Sequence, residues 1–283
     1  MMIICKKISE VRDIVKEQRG QGRSIALVPT MGYLHEGHLT LVAEARKSGA
    51  FVVMSIFVNP LQFGPNEDFA RYPRDLERDA KKAEGAGVDL IFNPEVEEMY
   101  PSKNLTHVEV DELGDSLCGA SRPGHFRGVT TVVSKLFHIV QPDRAYFGQK
   151  DYQQYLIICQ MVKDLNFPIE VIGVPIVREE DGLALSSRNV YLSPEQRAEA
   201  LVLQRSLREA ENWLRQGERS ALTIEERIKE LIRNESSGEI DYVEIRSAEN
   251  LHRVEQIEGK IFIALAVRFG PTRLIDNKVL EGM

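Results

Sequence analysis

The sequence predicts an α/β protein: a Rossmann-like, doubly wound parallel sheet at residues 1–176, followed by a smaller C-terminal α+β domain at 177–283. Three observations carry that prediction. Short apolar, β-branched runs alternate with amphipathic helical stretches through the first part of the 283-residue chain. The loops that follow those runs hold most of the polar residues suited to chemistry. Past residue 177 the order changes to helices and then strands, which fits a separate α+β unit.

Residues 9–19 have Val11, Ile14 and Val15 on one side and charge on the other, so they form a helix that Gly20-Gln21-Gly22 ends. That glycine pair precedes a strand, whereas a dinucleotide fingerprint follows one, so it is read as a turn. Residues 24–28 are a buried strand, and 39–47, rich in helix formers, are a helix. Between them lies Pro29-Thr30-Met31-Gly32-Tyr33-Leu34-His35-Glu36-Gly37-His38, a strand-to-helix turn. Residues 51–58 form a second strand that opens into Asn59-Pro60-Leu61-Gln62, which completes a βαβ unit. A helix at 74–84 and a strand at 89–92 continue the alternation. The stretch Gly124-His125-Phe126-Arg127-Gly128-Val129 is expected to be a glycine-punctuated loop before a helix at 130–139. A short strand at 143–147 opens into Gly148-Gln149-Lys150-Asp151, with a helix to Leu165 and a strand at 169–177. In the C-terminal part, Ser193-Pro194-Glu195 caps a helix running to about residue 215. A second helix covers 223–233, and two strands, at 240–246 and 260–269, close the chain.

Composition narrows the function. The net charge of −7 argues against a nucleic-acid surface, which needs dense Lys and Arg. No apolar run approaches the roughly 20 residues of a membrane span, and the first residues pass from apolar to charged, unlike a secretory signal. A cytoplasmic protein with no membrane partner is expected. Cys5, Cys118 and Cys159 are widely spaced, so neither a disulfide framework nor a thiolate zinc site is suggested.

In an open α/β sheet, ligands bind beyond the carboxyl ends of the strands, and a helix N-terminus there offers N–H groups and partial positive charge. His35 and His38, flanking Gly37, add directional donors at such a terminus, which suits phosphate. Three further loops compete for the same site: 59–62, 148–154 and Leu185-Ser186-Ser187-Arg188-Asn189. Lys150, Ser186, Ser187 and Arg188 are donors for phosphate oxygens, whereas Gln62 and Gln154 are neutral amides that could hold a small hydroxy acid.

Taken together these stretches closely resemble the pantoate–β-alanine ligase family of the His-x-Gly-His nucleotidyltransferases. The residues in common are Pro29 to Gly32 and Leu34 to His38, then Ile56-Phe57-Val58-Asn59-Pro60-Leu61-Gln62-Phe63. They continue through Gly124 to Val129, Phe147 to Gln154, and Leu185 to Asn189. The resemblance implies condensation of pantoate with β-alanine, driven by ATP through a pantoyl adenylate, with release of AMP and pyrophosphate. It assigns ATP to Met31, Gly32, Tyr33, Leu34, His35, Glu36, Gly37 and His38, to Gly148, Gln149, Lys150 and Asp151, to Val177, and to Leu185, Ser186, Ser187 and Arg188. His38, His35, Lys150 and Arg188 carry catalysis in that assignment, with His38 the proton donor. Pantoate falls to Gln62 and Gln154, and Val132, Val133, Phe57 and Phe147 form an apolar wall. Magnesium is expected with ATP, with Asp79 a candidate ligand, although Arg78 departs from an acidic pair. The resemblance also implies a homodimer formed through the N-terminal domain, and a C-terminal lid.

Two other functions fit parts of the pattern. One is a nucleotidyltransferase acting on a phosphorylated acceptor, which would call for cations where this chain has Gln62 and Gln154. The other is a nucleotide-binding protein without catalysis, and the joint presence of all these polar positions argues against it. A zinc pair is disfavoured because the metalloprotease pattern places two histidines at i and i+4, not i and i+3.

Overall fold

The computed structural model describes residues 2–65 and 67–281. The chain divides into two units, Met1–Gln149 with Gln154–Pro175, and Lys150–Gln153 with Ile176–Met283. The four residues 150–153 therefore group with the C-terminal unit, although the strand before them and most of the helix after them belong to the first.

In the first unit, six parallel strands lie in the order β1-β4-β3-β2-β5-β6. They are β1 (Ile3–Cys5), β2 (Ile25–Thr30), β3 (Phe51–Ile56), β4 (Leu90–Phe92), β5 (Arg144–Gly148) and β6 (Glu170–Val174). The helices are α1 (Ile8–Gly20), α2 (Glu36–Lys47), α3 (Leu76–Ala86), the short α4 (Val96–Met99) and α5 (Cys118–Ser121), α6 (His125–Val140), and α7 (Tyr152–Asp164), which begins in residues of the other unit. Successive side chains of a strand face opposite ways, and the apolar residues sort accordingly. Ile25 and Leu27 pack with Val11 and Val15 of α1 and Val133, Leu136 and Phe137 of α6. Ala26 and Val28 pack with Leu41, Val42 and Ala45 of α2 and Ala83 of α3. Burial on both faces is why β2 and β3 read as unbroken apolar runs.

Chain order runs outward from β2 through β3 to β4 and then returns to place β5 on the other side of β2. The reversal lies between β2 and β5, and that is the switch point where such sheets bind ligands. Ladder pairing between these two strands covers Ala26↔Arg144 and Leu27↔Ala145, whereas β2 and β3 stay paired to Thr30↔Ile56.

In the second unit, α8 (Pro194–Glu199), α9 (Leu201–Arg215) and α10 (Ala221–Glu235) precede an antiparallel sheet of β7 (Glu239–Ser247), β8 (Lys260–Phe269) and β9 (Thr272–Glu281). Ile261, Ile263, Leu265 and Val267 of β8 share a core with Leu203, Leu207, Ile228 and Ile232.

The structure departs from the sequence reading within these elements as well. Strand β1 is only three residues long and gives no periodic signal. Strand β9 was not anticipated because Asp276, Asn277 and Lys278 interrupt its apolar pattern, yet it pairs along its whole length with β8. The helix expected at 193–215 turns at Ala200. The stretch 124–129 is no loop: Gly124 has a left-handed backbone (φ 80°), and α6 begins at the next residue. Gly128 lies inside that helix, where a Cβ would come within 2.2 Å of the Leu61 carbonyl oxygen. The glycine serves close approach of two backbones rather than a turn.

Candidate active site

The loop after β2 is pinned from both sides. Thr30 Oγ1 donates to the Ser55 carbonyl (2.7 Å) and accepts from the Gly32 N–H (3.2 Å). Gly32 and Tyr33 are both left-handed (φ 85° and 50°), a conformation that a non-glycine residue keeps only when its surroundings impose it. The buried Asp79 carboxylate imposes it here. Its two oxygens accept from the Tyr33 and Leu34 N–H groups, each at 2.7 Å. Two neighbours on α3 complete the clamp: Arg78 stacks on the Tyr33 ring at 4.4 Å and donates to the Leu34 carbonyl, as does Lys82. Burial holds the Asp79 carboxyl above the ordinary carboxylate range, despite those two N–H donors and Arg78. Leu34 itself is a core side chain with both backbone groups engaged.

That clamp delivers the imidazoles to the start of α2. His35 occupies the cap position, with an extended backbone, and its carbonyl accepts from the N–H groups of His38 (2.8 Å) and Leu39 (3.2 Å). The two rings lie 4.1 Å apart between centroids, tilted by 34°. His38 Nδ1 accepts from the His35 N–H at 3.4 Å. A ring nitrogen that accepts carries no proton, so neutral His38 holds its proton on Nε2. Glu36 is exposed, and Gly37 puts no side chain between the two imidazoles.

Gln62 ends a 3-10 turn, Pro60–Gln62, after β3, and is buried. Its Nε2 lies 3.1 Å from the Met31 sulfur, which joins it to the loop after β2, and its Oε1 accepts from Asn59 Nδ2 at 3.2 Å. Asn59 Nδ2 also donates to the Gly128 carbonyl (3.1 Å), and the Tyr100 hydroxyl donates to Asn59 Oδ1 (2.8 Å). Behind Gln62, Arg122 donates to His125 Nε2 (3.0 Å), so His125 carries its proton on Nδ1 and donates to the Gln62 carbonyl (2.8 Å). Arg122 also grips Glu67 through two bonds of 2.7 and 2.6 Å. Burial alone would raise the Glu67 carboxyl, but that fork outweighs it and leaves the group below its ordinary range. Phe57, Val132, Val133 and Phe147 are all buried in one apolar cluster.

At β5, Gly148 needs neither a left-handed backbone nor space, since a Cβ there would meet nothing within 4 Å. Gln149 follows it, and Gln154 sits half-buried on the first turn of α7. In the second unit, Lys150 is half-buried and Asp151 exposed. Val177 accepts from the Leu185 N–H (3.0 Å), which closes a hairpin bridged at Arg178↔Ala184. Ser186 Oγ caps the next turn by accepting from the Arg188 N–H (3.2 Å), Ser187 is buried in that turn, and the Arg188 side chain is half-buried.

Asp79 does not fit a magnesium ligand: its carboxylate is 1% exposed, carries a backbone N–H on each oxygen, and has the Arg78 guanidinium 3.7 Å away. Among the described residues no group of three His, Cys, Asp or Glu could hold a metal ion. The sequence gives Asn59 and Arg122 no role of their own and leaves His125 as structural. Asn59 and His125 lie within motif stretches and could have been found there, whereas Arg122 gives no local signal.

The family model described as pantoate-beta-alanine ligase matches residues 3–279. The chain is 97% identical over 282 residues to a pantothenate synthetase of Desulfitobacterium hafniense, covering 100% of each, and 59% identical to that of Acetivibrio thermocellus, covering 99% of this chain and 100% of that one. The crystal structure of pantothenate synthetase from Thermus thermophilus matches with a TM-score of 0.93 at 51% identity, over 98% of this chain and 99% of that one. A pantoate-beta-alanine ligase from Francisella tularensis, complexed with beta-gamma ATP and beta-alanine, matches with a TM-score of 0.81 at 35% identity, over 99% and 98%. With a family model spanning nearly the whole chain and full-length relatives of this likeness, the chain belongs to the pantoate–β-alanine ligase family.

Proposed function

We propose that the protein condenses pantoate with β-alanine in two steps. The pantoate carboxylate attacks the α-phosphorus of ATP and expels pyrophosphate. The β-alanine amine then attacks the activated carbonyl, and AMP leaves. Activation comes first because a free carboxylate is a poor acyl donor. The observation that carries this reading is the imidazole pair at the start of α2, with the His38 proton fixed on Nε2 by the backbone bond at Nδ1. A neutral N–H donor at a helix N-terminus stabilises negative charge as it builds on the phosphates.

His35, Lys150, Ser186, Ser187 and Arg188 supply the remaining phosphate contacts in this reading. Met31 to His38 and Val177 take the rest of the nucleotide, and the room beside Gly148 lets a ribose approach the backbone, next to Gln149 and Asp151. Gln62 and Gln154 hold the hydroxyl and carboxylate of pantoate, with Phe57, Val132, Val133 and Phe147 against its methyl groups. Gln62 arrives already oriented by Asn59 and His125, so less ordering is left to substrate binding. Magnesium is expected as the companion of ATP's phosphates, held by them and not by Asp79. The reading extends to a cytoplasmic homodimer; among the described residues no helix is long and apolar enough to cross a membrane.

The test is ATP–pyrophosphate exchange with pantoate present and β-alanine absent. Exchange dependent on pantoate is expected. Exchange without pantoate, or only with a phosphorylated acceptor, would instead identify a nucleotidyltransferase.

A further inference from the structure

The last strand of the C-terminal unit carries two consecutive buried polar residues, Asp276 and Asn277, 3% and 5% exposed. Each reaches a segment far away in sequence. Arg178 donates both ends of its guanidinium to Asp276 (2.7 and 2.8 Å) and one of them also to the Gly182 carbonyl (3.1 Å). This fastens the hairpin 177–185, from which residues 185–188 emerge. Asp276 Oδ1 also accepts from the Asn277 N–H (2.7 Å). The Asn277 amide donates to the Lys150 carbonyl (2.7 Å), 127 positions earlier. Cross-strand partners share a face of a sheet. Asp276 pairs with Leu265, on the face that packs on the helices. Asn277 pairs with Ala264, on the face where Phe262 meets the Tyr152 ring at 4.8 Å. The Tyr152 hydroxyl donates to the Ala248 carbonyl (3.0 Å), so residues 150–153 are held to this unit through both Lys150 and Tyr152.

Burying an amide and a carboxylate side by side in a strand is unfavourable unless each is fully hydrogen-bonded. Here the partners are the root of one phosphate-contacting segment and the backbone of the other. We infer that Asp276 and Asn277 form a positioning pair, in which Asn277 sets the backbone from which Lys150 reaches its anion while Asp276 ties the 185–188 segment to the same strand. The inference rests on the proposed role of Lys150. A lysine ammonium rides on four flexible carbons, so its placement depends on how firmly its own backbone is held. A misplacement of about 1 Å at a reacting centre can cost about 100-fold in rate.

The experiment compares Asn277→Ala, Lys150→Ala and the double variant by pantoate-dependent ATP–pyrophosphate exchange, together with amide hydrogen exchange. Asn277→Ala should lower the maximal exchange rate about 10–100-fold with KM for pantoate unchanged, and should lose amide protection at 150–153 while β7–β9 keep theirs. Added to Lys150→Ala, it should change nothing further, because it acts through that side chain. If Asn277→Ala does not fold, Asn277→Ser, whose hydroxyl is too short to reach the Lys150 carbonyl, is read the same way. Wild-type rates in the variant, an equal loss with or without Lys150, or protection lost across the whole sheet would overturn the inference. A wild-type protein without pantoate-dependent exchange would defeat the proposed reaction alone. Selective loss of protection at 150–153 would still support the anchor.

Discussion

His38 sits one helical turn from a cap it helps to build, and the bond that fixes its proton is made to a backbone N–H rather than to another side chain. Removing the ring therefore gives up one backbone bond at the cap and most of the chemistry. His38→Ala should lower pantoate-dependent exchange about 10²–10³-fold while lowering the thermal midpoint by only a few degrees, as expected for loss of one well-placed donor and part of a helix cap. Exchange at the wild-type rate would remove His38 from the mechanism. In the other unit, Glu225 is a buried carboxyl on α10 that accepts from the Ile245 N–H (2.7 Å). Burial holds it above the ordinary range, against that N–H, Lys229 and Arg253. The folded protein thus binds the proton more tightly than the unfolded chain does. The stability this provides is complete below the unfolded value of about 4.3 and is lost as pH rises through the folded one. Glu225→Gln keeps an acceptor for Ile245 and does not titrate. It should be more stable than wild type at neutral pH, with the gap closing toward about pH 4, in urea midpoints taken from about pH 4 to 8. A gap that widens toward acid would contradict this.

Helix α6 shows how an element can be built for its neighbour. A glycine inside a helix ordinarily destabilises it by about 1 kcal/mol relative to alanine. At Gly128 the sign should reverse, because a methyl group would press within 2.2 Å of the Leu61 carbonyl and 2.7 Å of Gln62 Cα. Gly128→Ala should destabilise by about 1–3 kcal/mol and, by displacing the 3-10 turn, raise KM for pantoate more than KM for ATP. Thermal denaturation and steady-state kinetics check both parts, and a stabilised variant would disprove the close approach. Helix α3 does a similar service for the loop after β2. Its Arg78, Asp79 and Lys82 hold two left-handed residues and a core leucine, so α2 starts at a defined place. The acidic residue expected to bind metal is a backbone clamp, and the arginine beside it belongs to the same device.

At the scale of the molecule, each unit closes its own core, on the two faces of the parallel sheet in one and between helices and an antiparallel sheet in the other. The chain passes between them three times, at 149–150, 153–154 and 175–176. Lys150 thereby shares a unit with Ser186, Ser187 and Arg188, while His35, His38, Gln62 and Gln154 share the other. The proposed homodimer implies a solution mass near twice the 32.1 kDa of one chain. Light scattering at micromolar concentration checks this, and a single-chain mass would end that part of the proposal.

The βαβ alternation, the C-terminal change to helices then strands, and the polar loops after β2, β3 and β5 are all written in the order of residues along the chain. These are local properties: apolar period, turn residues and strand-to-helix order act over a few neighbours. It takes the folded chain to reveal that Asp79 clamps a loop, that Gly128 belongs in a helix, that His125 orients Gln62, and that β9 completes a sheet and holds Lys150. The hydrogen bonds behind the first, third and last of these join residues 45 to 127 positions apart. The chain writes down both partners, but only packing brings them within a hydrogen bond of each other.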